Sequence, residues 1–87
     1  MDPAPLTLKR IYKMRRDFYK KHRRAPSLFY CSVDGWFQLV HALDFSRPSV
    51  RVAVEHTPDD LGRAEWKVFG MDVIRVNDPD YPPEVRV

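Results

Sequence analysis

Residues 27–43, SLFYCSVDGWFQLVHAL, change their pattern halfway along. Ser27-Leu28-Phe29-Tyr30-Cys31 is a short apolar run rich in aromatics and bounded by Pro26, which reads as a buried strand. From Val33 onward the apolar residues recur at helical steps. Val33, Trp36, Phe37, Val40 and Leu43 share one face, with Leu39 beside them, so the pattern predicts a helix over roughly 33–43. Ser32 is the expected N-cap, because its hydroxyl can accept a hydrogen bond from an orphan amide of the first turn. Asp34 in that turn suits the helix dipole, whereas Gly35 costs about 1 kcal/mol against alanine.

Upstream, residues 7–23 predict an amphipathic helix capped by Thr7. At 100° per residue Leu8, Ile11, Phe18 and His22 lie together, flanked by Tyr12, Met14 and Tyr19. Lys9, Lys13, Arg16, Lys20 and Arg23 recur on the opposite face. Arg15 falls on the apolar side, where an unpaired charge is expensive, so a carboxylate or carbonyl partner is expected, with Glu55, Glu65 or Asp72 as candidates. Pro26 disfavours helix at Ala25 and ends the element. Residues 1–6 read as a flexible leader.

Downstream, Arg47-Pro48 marks a loop, and Val50, Val52 and Val54 alternate with Arg51, Ala53 and Glu55 as in a half-buried strand. Thr57-Pro58-Asp59-Asp60-Leu61-Gly62 is turn-rich. Trp66–Phe69 and Asp72–Val76 read as strands joined at Gly70-Met71, by a hairpin turn or as one strand with a bulge. Val85-Arg86-Val87 is a candidate edge strand. The fold expected is α+β, a single domain over 1–87: two helices on one face of a small, mainly antiparallel sheet of three to five strands.

Charge is unevenly placed along the 87 residues. Leu8 to Arg24 holds nine basic residues and one acid, Asp17, a local charge of 9 − 1 = +8. The remainder holds six basic and eleven acidic residues, or −5, and the two sum to the net +3. Such a split points either to an external anionic partner or to cover by the chain's own acids or those of a second copy. Lys9, Lys13, Arg16, Lys20, Arg23 and Arg24 are the candidate anion- or nucleic-acid-binding residues.

Other chemistry finds little footing. No apolar run is long enough to span a bilayer. The start, Met1-Asp2-Pro3-Ala4-Pro5, has no secretory pattern, and the lone Cys31 suits a reduced, cytoplasmic setting. His22, His41 and His56 lack metal-site spacing; His56 with Glu55, Asp59 and Asp60 reads as a solvated turn rather than a metal site. Cys31 reads as inert core. Gly35, Gly62 and Gly70 form no phosphate loop. No catalytic residue, cofactor, metal or small-molecule substrate is expected, and most aromatics read as core, with Tyr12 and Tyr19 at the border of the basic face.

The segments SLFYCS, Trp36 with Leu39, FGMDVI at Phe69–Ile74 and NDP at Asn77–Pro79 resemble the peripheral α+β region of tailed-phage major capsid proteins, and small uncharacterised bacterial or prophage-encoded proteins. The resemblance covers residues 27–79. It implies a shared compact unit with a tendency to self-associate, without the long spine helix and extended arm of a capsid subunit. Fold likeness alone does not carry function. Two functional readings follow. The first is a non-catalytic interaction or assembly module, with a protein partner or a weak homodimer formed through a sheet edge. The alternative is a sequence-independent nucleic-acid-binding protein using the basic first helix. A basic stripe left open favours the second, and one covered by acids favours the first.

Overall fold

The apolar run at 28–32 becomes the strand with partners on both sides. A computed structural model describes residues 5–58 and 64–87. In chain order the elements are α1 (Leu8–His22), β1 (Leu28–Ser32), α2 (Val33–Ala42), α3 (Pro48–Ala53), β2 (Val54–Pro58), β3 (Ala64–Val68), β4 (Met71–Val76) and β5 (Glu84–Arg86). The five strands form one mixed sheet in the order β2-β3-β4-β1-β5. β1 runs parallel to β4, and the other three pairings are antiparallel.

Register assigns the two faces. Val54 pairs with Val68 and Val68 with Met71, while Phe29 pairs with both Val73 and Val85. These residues join Ile11 of α1, Trp36 and Leu39 of α2 and Ala53 of α3 in a single core. All three helices therefore contribute to the core on one face of the sheet. On the other face Glu55, Lys67, Asp72, Leu28 and Arg86 stand in a row across all five strands. Four of the five are exposed and Leu28 is half-buried. This is the alternation expected of a sheet covered on one side.

Local chemistry sets the element ends. Thr7 Oγ1 accepts from the Arg10 amide at 3.1 Å and Ser32 Oγ from the Gly35 amide at 2.9 Å, so both predicted N-caps are present. α1 stops where Arg23 turns left-handed (φ 58°) and donates its amide to the Tyr19 carbonyl. The β3–β4 connection is a tight hairpin rather than a bulged strand. Its turn residues are Phe69 and Gly70, with φ of 49° and 81°, one position earlier than Gly70-Met71. Two consecutive positive φ values match the twist of the flanking strands, which is why such turns close hairpins.

Four expectations need correction. The valine alternation at 50–55 does not make a strand: residues 48–53 are α3, and Val52 is 79% exposed. Pro48 supplies a preset φ at the start of that helix, and the Val50 and Arg51 amides bond back to the Arg47 carbonyl. Strand pairing begins only at Val54, opposite Val68. Thr57 and Pro58, expected in a turn, belong to β2, and the rest of that predicted turn lies outside the described residues. Leu6 packs against the core, so the final residues of the predicted leader are part of the fold. Arg15 is half-buried as its phase demanded, yet its Nε has no hydrogen-bond partner among the described residues, and the expected carboxylate is not found there. Trp36 Nε1 is likewise buried without a partner.

Candidate nucleic-acid interface

α1 buries Ile11 fully and Leu8, Met14 and Phe18 in part, which fixes the helix phase. Lys9, Lys13, Arg16 and Lys20 then fall within about 60° of one another on the opposite side. All four are exposed, as are Arg23 and Arg24 just beyond the helix end. Among the described residues the only ion pair made by any of the six joins Arg16 to its neighbour Asp17, at 3.9 Å. Both members of that pair are more than half exposed, so it is worth little. The acids of the sheet's open face do not cover the stripe.

The arrangement works against the helix that carries it. No acid stands in the first turn, where Lys9 and Arg10 meet the positive end of the dipole. Lys9 with Lys13 and Arg16 with Lys20 are like charges four residues apart, each unfavourable by about 0.2–0.5 kcal/mol. Lys20 and Lys21 in the last turn suit the negative end of the dipole, but the dipole gives no reason for Lys9, Lys13 and Arg16.

Two aromatics border the stripe. Tyr12 and Tyr19 are 51% and 53% exposed. Seven residues separate them, so they lie on the same flank, about 10.5 Å apart along the axis. The Tyr12 ring meets Phe69 of the hairpin turn edge-on, with centroids 5.5 Å apart. The flanking position of both tyrosines was legible from helical phase. The Tyr12–Phe69 contact was not, because it joins residues 57 positions apart.

A second feature lies at the far end of the parallel strand pair. A cleft of about 560 Å³ is bounded by Leu6, Arg10, Ser32, Gln38, Tyr81 and Pro83, among others. Cys31 borders it, but burial pushes its thiol pKa up to about 11, opposed in part by Arg75, so the sulfur stays protonated at neutral pH. A protonated thiol is a poor nucleophile. No group of three or more His, Cys, Asp or Glu side chains among the described residues is placed to hold a metal. No helix among them is long and apolar enough to cross a membrane.

On the open sheet face, the Tyr81 hydroxyl donates to Glu84 Oε1 at 2.5 Å and Arg86 Nη2 donates to the same oxygen at 2.6 Å. The Arg86 guanidinium sits 4.8 Å from the Tyr30 ring centroid. These contacts tie β5 to β1. The Tyr81 bond holds the Glu84 carboxyl below its ordinary pKa, and the same bond raises that of Tyr81.

The chain matches no protein-family model, no curated protein and no solved structure.

Proposed function

We propose that this chain is a non-catalytic, sequence-independent nucleic-acid-binding protein whose contact surface is the open face of α1. One observation carries the proposal: Lys9, Lys13, Arg16, Lys20, Arg23 and Arg24 are all exposed, and Asp17 is the only described acid paired with any of them. Phosphate contacts supply affinity without sequence information, and an unfavourable row of like charges is what such contacts require. A cytoplasmic setting goes with this function.

The test is a salt titration. If four phosphates are neutralised, log K falls with log salt at a slope of about −0.9 × 4, or −3.6, on a duplex and about −0.7 × 4, or −2.8, on a single strand. Replacing Lys13, Arg16 and Lys20 with glutamine removes three contacts and brings the slope to about −0.9 or about −0.7, respectively. The folded state is preserved, because all three side chains project away from the core. No binding at low salt, or a slope untouched by the triple substitution, overturns the proposal.

The assembly reading keeps one supporting observation. β2 and β5 are the outer strands of the sheet, and each has one side unpaired by any described residue. Exposed edges invite pairing with another chain. A monomeric mass by light scattering at high micromolar concentration would remove that reading.

A further inference from the structure

We infer that the nucleic acid held by α1 is single-stranded, with its phosphates along the Lys9–Lys13–Arg16–Lys20 row and its bases stacked on Tyr12 and Tyr19. The inference rests on the nucleic-acid reading of α1 and deepens it by naming the substrate class.

A duplex keeps its bases paired and stacked inside, so it exposes base edges in its grooves but no base face on which an aromatic ring can stack. A single strand turns its bases outward from its phosphates, and every base has a face that can stack on an aromatic ring. The helix provides both halves side by side. Its basic row is flanked, on one side, by two half-exposed tyrosines at the same angular position. Their axial separation of about 10.5 Å corresponds to about three stacked nucleotides at 3.4 Å each. The Tyr12 ring is held by its edge contact with Phe69, so it is ordered before any ligand arrives. On the other flank of the row stand Asp17, Arg10 and Lys21, none of them aromatic. The asymmetry gives the strand one orientation: backbone over the row, bases toward the hairpin turn at Phe69.

The experiment compares a labelled twelve-nucleotide oligo-dT, an oligo-U of the same length and a twelve-base-pair DNA duplex, all at low salt, with the full chain. The expected result is tighter binding of either single strand than of the duplex. Tyr19→Ala should weaken single-strand binding about tenfold, and Tyr19→Phe should restore it, because the ring and not the hydroxyl does the stacking. Duplex affinity should change less than twofold in both variants. Tyr19 is the cleaner position, since Tyr12→Ala also removes the contact with Phe69. Equal binding of single strands and duplex, unmoved by Tyr19→Ala, overturns the inference while leaving the phosphate-binding reading standing. Binding of none of the three overturns both.

Discussion

The junction between β1 and α2 supports a quantitative double-mutant test. Ser32 is buried, and its hydroxyl accepts the Gly35 amide at 2.9 Å. A Cβ placed on Gly35 would lie 2.8 Å from that same oxygen, closer than such atoms approach. Ser32→Ala should cost about 1 kcal/mol, the usual loss for a serine cap. Gly35→Ala brings two opposed effects: about 1 kcal/mol gained in helix propensity, and about 1 kcal/mol lost as the new methyl displaces the cap. The single variant should therefore stay within about 0.5 kcal/mol of the parent. Once Ser32 is alanine there is no oxygen to displace, so Gly35→Ala should then stabilise by about 1 kcal/mol and return the double variant to parental stability. The coupling between the two sites is about 1 kcal/mol, equivalent to about 4–8 °C in Tm for a domain of this size. Urea unfolding followed by tryptophan fluorescence reads it directly, since Trp36 is fully buried. If Gly35→Ala stabilises both backgrounds equally, the steric reasoning at this junction is wrong.

Three further outcomes are expected. Gly70→Ala should destabilise by about 1 kcal/mol through backbone strain alone, since φ is 81° and nothing lies within 4 Å of an added Cβ; a neutral result in thermal melts would contradict the turn geometry. Arg15→Met should leave stability unchanged or raise it by about 1 kcal/mol, because it removes a buried Nε that has no partner; marked destabilisation would mean that the guanidinium has a partner. The Tyr81–Glu84 contact should protect the amides of β5 in a defined pH window. Glu84 is lowered, so its contribution is complete above the ordinary value of 4.5 and is lost as pH falls through the lowered one. Tyr81 is raised, so its contribution is complete below 10.0 and is lost as pH rises through the raised value. Hydrogen exchange in Tyr81→Phe should lack the alkaline limit and show a weakened acid one, since Arg86 still donates to Glu84; exchange identical to the parent across the range would refute the linkage.

Much of the fold was legible because its signals are local. Thr7 and Ser32 announced their helices through side-chain oxygens that need only the next turn. The apolar phase of Leu8, Ile11 and Phe18 placed Lys9, Lys13, Arg16 and Lys20 on the opposite side of α1 before any tertiary information; that this side is left open was not legible. The misread segment shows where local pattern gives way. Val50 to Glu55 alternates perfectly, but a strand needs a neighbour, and β3 ends at Val68, opposite Val54, leaving the residues before Val54 without one there. Ala53 is instead fixed by its carbonyl, which accepts the Phe69 amide at 2.8 Å. The parallel pairing of β1 with β4 and the cleft between Leu6 and Pro83 have no local signature. Both arise from segments more than 35 residues apart.

The position of β1 also bears on when this molecule can become itself. Its two neighbours, β4 and β5, come from residues 71–76 and 84–86, so this inner strand is made early and paired late. Ser32 leaves the ribosome 44 residues before its partner Val76. At about 5–20 residues per second that is a wait of about 2–9 s. Throughout it, the strand bearing Phe29 and Cys31 has neither neighbour, and its hydrogen-bonding edges stay open until β4 and β5 have been made.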